Sequence, residues 1–246
     1  MIVSSMSFKE MFDCLEADRG KLDYQREKIL PKISKEFKAE NQIPNYKWVE
    51  YKPSSGTEFL ILFYADSLSH FNQPLVRYCA TVWNENYRYI VTWMYGQYKH
   101  PLHDFEQTPM IYAFTKHFIN QYSERFLKDT TLSANDTITR FLMRNLVYTP
   151  IEINKKINRN IDKKDESYRR GFSVDDGICF TRFSLDGEIH DIDEVEKDKV
   201  TALCFVFTTY YNPKNMFPEQ LEAIGKEEEK AWDAFYKNAK IKGSCD

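Results

Sequence analysis

Between residues 46 and 98, four runs rich in Tyr, Trp, Phe, Val and Ile are joined by segments of turn-forming residues. The runs 46–51 and 58–64 flank Lys52-Pro53-Ser54-Ser55-Gly56, and the runs 75–83 and 87–98 flank Asn84-Glu85-Asn86. Aromatic and β-branched side chains suit a pleated, half-buried surface, while Gly, Pro, Ser and Asn supply turn conformations. A chain reversed over so few residues pairs antiparallel, because a parallel partner needs a long crossover. The region therefore predicts a four-strand antiparallel meander.

Helical patterns bracket it. Residues 7–40 read as helix, with Phe8, Met11, Phe12 and Leu15 forming one stripe and Pro31 kinking or restarting the run. A second helix is predicted over 109–127, with Pro109 in the first turn, where its missing N–H is harmless. Ser133 then reads as an N-cap with Asp136 three residues on. Ile138, Phe141, Leu142 and Leu146 make the following segment amphipathic, so 109–148 is a helix pair.

Residues 154–170 are polar and basic, and read as a solvated loop. Sheet resumes over 171–211, with Asp186-Gly187 as a hairpin turn. The run 200–211 is the most strand-like in the chain and a candidate central strand. A final helix spans 218–240, and its Trp232, Phe235 and Tyr236 are expected to pack on the body. With no internal repeat or low-complexity linker, the expectation is a single α+β domain over 1–246. Its antiparallel sheet, from the N-terminal meander and the C-terminal strands, is covered by helices.

Composition narrows the function classes. Only 8 glycines are present, with neither a GxxxxGK[ST] nor a GxGxxG pattern, so no phosphate-cradling Gly loop is expected. Five cysteines carry no CxxC pair and read as reduced core thiols, which favours a cytoplasmic setting. No apolar run reaches membrane-spanning length and the start has no basic leader, so no membrane partner is expected. The net charge of −3 is unevenly spread. Residues 139–170 hold nine Lys/Arg against four Asp/Glu, whereas residues 171–246 hold nine against sixteen.

Candidate chemistry centres on the predicted helix 109–127. On a helical wheel Ile111, Phe114, Phe118, Tyr122 and Phe126 form an apolar face bordered by His117, Gln121, Glu124 and Arg125. Arg125 falls between Phe114 and Phe118, where a charge must be paired or must line a cleft. His117, Glu124 and Arg125 are thus candidate catalytic residues, with His117 as general acid/base and Arg125 as the stabiliser of a developing anion. The structural alternative has Arg125 paired with a carboxylate and His117 bonded to the backbone.

Arg140 and Arg144, four apart on the next helix, are candidate phosphate ligands with the basic loop behind them. Thr208 and Thr209, ending the strongest strand, could add hydroxyls. Arg77, Tyr78, Tyr87, Arg88 and Tyr89 could stack single-stranded nucleic acid, although such strands more often pack a core. Two small groups, His100/His103/Asp104 and His190/Asp191/Asp193, lack metal-site spacing, so no metal or other cofactor is expected.

The order helix, helix, hairpin, long strand over about 109–211 resembles that of small bacterial endoribonuclease toxins. The likeness rests on element order and on scattered His, Arg, Thr and Tyr residues. It implies metal-independent cleavage of RNA, an analogy at the level of fold. No nucleophile motif accompanies it. The leading expectation is accordingly a non-enzymatic interaction module with a protein partner. The alternative is a phosphate- or RNA-recognising module, an endoribonuclease-like enzyme built on the His/Arg cluster.

Overall fold

The computed structural model describes residues 2, 6–84, 87–98, 106–158, 170–186 and 202–242. Helix α1 (Phe8–Ala17) starts at a reciprocal cap: the Glu10 amide donates to Ser7 Oγ and the Ser7 amide to the Glu10 carboxylate. Helix α2 (Arg19–Glu40) follows with Pro31 inside it, on an exposed turn. It ends where Asn41 turns left-handed, with φ of 46°.

The meander is present and one strand longer than predicted. Strands β1 (Asn45–Tyr51), β2 (Glu58–Ala65), β3 (Leu75–Asn84) and β4 (Tyr87–Tyr98) pair in order, and β5 (Glu106–Phe114) extends them. The predicted helix 109–127 is corrected here, since its first third is β5. Met110–Phe114 are buried on both faces, and a short, wholly apolar run gives no periodicity that separates strand from helix. Pro109 pairs with Tyr95 of β4, one residue before the ladder on the strand's other side begins. The helix starts only after Thr115, whose hydroxyl accepts the Phe118 amide at 3.1 Å.

After helix α3 (Lys116–Tyr122), a wide π turn over Ser123–Leu127 leads to helix α4 (Ala134–Arg144), capped by Ser133 as predicted. Strands β6 (Thr149–Glu152), β7 (Arg170–Val174), β8 (Gly177–Asp186) and β9 (Ala202–Tyr211) complete the sheet, and helix α5 (Pro218–Lys242) follows. Strand β6 falls just ahead of the basic loop and was not anticipated. The predicted 188–192 strand and the Gly187 side of its turn lie outside the described residues.

The nine strands form one sheet in the order β1-β2-β3-β4-β5-β9-β8-β7-β6. Two antiparallel meanders meet at a parallel β5–β9 pair, so β9 is central, as its sequence suggested. Alternate residues of β2 identify the layers. Phe59, Ile61 and Phe63 join the core under α1 and α2, while Leu60 and Leu62 join the core under α3 and α4. Helices thus cover both faces of an α+β sheet. A smaller core of Ile151, Ile153, Ile157 and Ile178 receives Ala223 and Ile224 of α5. Among the described residues Cys14, Cys79 and Cys179 are free thiols. No described helix is long and apolar enough to cross a membrane.

Candidate functional site

The polar residues singled out in the sequence gather where α3 and its π turn cross the end of β9. Strand β5 pairs with β9 only as far as Phe207, which leaves the next backbone groups of β9 without a strand partner on that side. Side chains take over the ladder. The Thr115 hydroxyl donates to the Phe207 carbonyl at 2.9 Å, and the Tyr210 amide donates to Gln121 Oε1 at 2.9 Å. Arg125 Nη1 donates to the Tyr210 carbonyl at 2.7 Å, and its guanidinium lies 5.5 Å from the Tyr211 ring centroid. Asn212 Nδ2 returns a bond to the Arg125 carbonyl at 3.1 Å. An unpaired strand edge in a covered position would otherwise be costly, and here a helix seals it.

Arg125 thus binds Tyr210 of the strand directly, whereas His117 is linked to it only through Gln121. His117 is exposed on α3, and the Gln121 amide reaches its Nε2 at 2.7 Å, a bond that needs that nitrogen unprotonated. Arg125 is half-buried on a backbone carbonyl, not on the carboxylate that the structural alternative proposed. Glu124 is exposed on the π turn. Thr208 sits at the bulge where the β8–β9 register shifts, and its hydroxyl donates to the Phe180 carbonyl at 3.1 Å. Thr209, beside it, is half-buried and pairs with Phe180.

Arg144 enters a buried knot that gave no sequence signal beyond a turn dipeptide. The two-residue turn Asp175-Asp176 between β7 and β8 inserts Asp176 between α3 and α4. The Asp176 carboxylate accepts from Tyr122 Oη at 2.5 Å, Arg144 Nε at 2.9 Å, Arg144 Nη2 at 2.8 Å and Asn145 Nδ2 at 3.1 Å. Its amide donates to Asn145 Oδ1 and its carbonyl accepts from Tyr210 Oη. All polar groups of this buried residue are engaged, which is what makes a buried charge tolerable.

The knot's electrostatics follow from its closure. The hydrogen bond to Asp176 pushes the Arg144 guanidinium above its usual value. Burial, and then the bond to Asp176, push the Tyr122 phenol well up. The next residue is glycine for a steric reason: a Cβ on Gly177 would stand 2.5 Å from the Tyr211 carbonyl and 2.7 Å from Tyr210 Oη.

The basic residues do not share one environment. Arg140 lies 5.4 Å from the Tyr46 ring centroid, and Tyr46 stacks on Tyr64 at 4.9 Å. Burial and the neighbouring Tyr46 push the Tyr64 phenol up to about 12. Lys155 and Lys156 instead line a groove of about 1000 Å³ against Glu222, Lys226 and Glu229 of α5. The remaining basic loop from 159 to 169 lies outside the described residues, as do His100, His103, Asp104, His190, Asp191 and Asp193. Among the described residues no three His, Cys, Asp or Glu side chains cluster to hold a metal.

The proposed nucleic-acid strand face is occupied by helices. Arg77 donates to the Leu142 and Leu146 carbonyls at the end of α4, and Tyr78 to Asp23 of α2. Tyr89 packs against the α1–α2 core. Arg88 donates to Thr81 and Asn135. The side chain of Tyr87 lies outside the described residues.

What sequence reading missed is on α5. Trp232, Phe235 and Tyr236 were expected to pack on the body, yet they are 43%, 58% and 59% exposed. Their rings touch one another, with centroids 5.9–6.1 Å apart. Ala234 lies eleven residues, close to three full turns, after buried Ala223, so the two share a side of the helix. Ala223 is buried and Ala234 is exposed, so α5 docks by its first turns and leaves the body beyond them. On a wheel of α5, Trp232 and Tyr236 fall away from Ala223 and Ile224, but Phe235, eleven residues after Ile224, shares its side, so periodicity alone does not separate these rings from the core.

Comparison with protein-family models, with curated proteins and with solved structures finds no match for this chain. The element order behind the resemblance to endoribonuclease toxins changes in that strand β5 precedes the first of its two helices and β6 precedes the hairpin.

Proposed function

We propose that this chain is a non-enzymatic binding module that presents the outer flank of α5 to a protein partner. One observation carries the reading: Leu221, Trp232, Phe235 and Tyr236 lie 40–59% exposed on a helix that docks through Ala223 and Ile224 of its first turns. Single exposed apolar residues need no explanation, but a contiguous aromatic group marks a contact surface. Aromatic side chains are also the type that dominates binding energy at interfaces. The alternative phosphate-binding reading needs guanidinium groups open to a ligand. Arg125 and Arg144 are instead engaged by the Tyr210 carbonyl and by Asp176.

The test is site-specific photo-cross-linking in cells. A photoreactive residue at Trp232 should give adducts heavier than the chain, while the same residue at exposed Lys38 of α2 should not. Equal yields at both positions, or none at Trp232, would overturn the proposal.

A further inference from the structure

The flank of α5 has a pattern that selects its occupant. Leu221, Gly225, Glu228, Trp232, Phe235 and Ala239 recur alternately four and three residues apart, the spacing of a helix-pairing seam. Leu221, Trp232 and Phe235 on this seam are exposed, and a Cβ on Gly225 would meet nothing within 4 Å. About Trp232 the seam carries a small residue seven positions away on each side, Gly225 and Ala239.

Charge along the same helix is segregated. The first half carries Glu219, Glu222, Glu227, Glu228 and Glu229 with Lys226 among them. The sequence of the second half carries Lys230, Lys237, Lys240 and Lys242 with only Asp233 opposing. Two parallel copies would set acid against acid and lysine against lysine. Two antiparallel copies crossing at Trp232 set each acidic half on the other's lysine half, and Gly225 on Ala239. A two-fold interface demands this self-complementarity.

We infer that the occupant of the α5 flank is the α5 of a second copy of this chain, paired antiparallel about Trp232. This rests on the binding-module reading above and adds the partner's identity. The four exposed side chains present roughly 400 Å² per copy, taking 150–250 Å² for a whole aromatic side chain. Two copies bury about 800 Å² before flanking residues are added, the low end for a specific interface. The dimer is therefore weak, with a dissociation constant on the order of 1–100 µM.

The test is sedimentation velocity on the full chain from about 1 to 200 µM, a range set by that expectation. Three variants accompany it: Trp232→Glu, Glu222→Lys and Lys240→Glu, since residues 222 and 240 share one side of α5 and stand nearly opposite each other when two copies cross at Trp232. The altered residues lie on the exposed side of α5 or in its last turns, and unchanged thermal melts check that each variant folds. The parent chain should dimerise with concentration. Each variant alone should weaken the dimer by about tenfold or more, because like charges or a carboxylate then meet in the seam.

An equimolar mixture of the two charge variants should regain the parent's dimer to within about threefold, since the mixed dimer restores both acid–lysine contacts, one in its native sense and one reversed. Failure of the mixture to recover, or a dimer indifferent to all three variants, would overturn the antiparallel pairing. A parent chain monomeric at 200 µM that still gives heavier adducts at Trp232 would overturn self-pairing while the binding-module reading stands. A monomer without such adducts would remove both.

Discussion

The Asp176 knot and the α5 flank invert the usual distribution of side chains in opposite directions. In the first, a carboxylate, a guanidinium, an amide and two phenols are drawn into the interior, and Asp176 satisfies all of them from one turn. In the second, three large aromatic rings stand in solvent on a helix that is well docked two turns earlier. Arg125, Arg144 and Asp176, polar residues of the kind that do chemistry, are engaged in building the fold. The apolar residues that look like core are left over. Function is better sought among groups that the fold has not used.

The largest effect that would sharpen this contrast is at Asp176. Asp176→Ala strands the Arg144 guanidinium and the buried Tyr122 and Asn145 groups. It should lower unfolding free energy by about 3 kcal/mol, the low end for a broken buried pair because Arg144 reaches solvent. Asp176→Asn, which keeps an acceptor, should lose less. A denaturant titration showing less than about 1 kcal/mol for the alanine variant would mean the knot is not structural.

Next comes Gly177→Ala, where a Cβ meets the Tyr211 carbonyl and Tyr210 Oη head-on. A loss of about 2 kcal/mol is expected from the forced backbone shift. A neutral result would show that the turn relaxes freely.

Arg125→Ala should cost about 1.5 kcal/mol, the value of a charged donor on a backbone carbonyl. His117→Ala, at an exposed ring, should stay within about 0.5 kcal/mol. Equal losses at the two positions would break the distinction between a strand seal and a surface residue.

Acid provides a smaller probe, on the α1–α2 face. Burial tends to raise the Glu16 carboxyl, but hydrogen bonds from Arg19 and Trp93 outweigh it and hold the group below its ordinary value. Asp18 is held down in the same way by Lys21 and Ser55. A carboxyl lower in the folded state stabilises fully above its unfolded value and loses that contribution as pH falls through the folded one. The melting temperature should therefore drop below about pH 4, and Glu16→Gln should shrink the drop. Parallel curves for parent and variant would exclude Glu16 as a contributor.

The smallest effect belongs to the α5 flank. Trp232→Ala and Phe235→Ala should each change stability by less than about 0.5 kcal/mol at concentrations too low for dimerisation. Truncating either ring in a core would instead cost about 3–5 kcal/mol. A loss of that size would mean the rings are buried by the body after all.

Local chemistry fixed much of this architecture in advance. The turn-separated aromatic runs from 46 to 98, the Ser133 cap, the central position of the 200–211 run and the 218–240 helix depend on near neighbours, and each stands where the sequence put it. Tertiary structure decided the rest. Strand β5 reads as helix because burial on both faces erases the alternation that marks a strand, and only its neighbours β4 and β9 reveal it. The Asp176 knot joins residues 31 to 54 positions apart in the chain, a separation at which spacing carries no signal. Whether the aromatic rings of α5 face core or solvent depends on where the body ends beneath the helix. Helical periodicity sets which residues share a side, but what that side meets is a property of the folded whole.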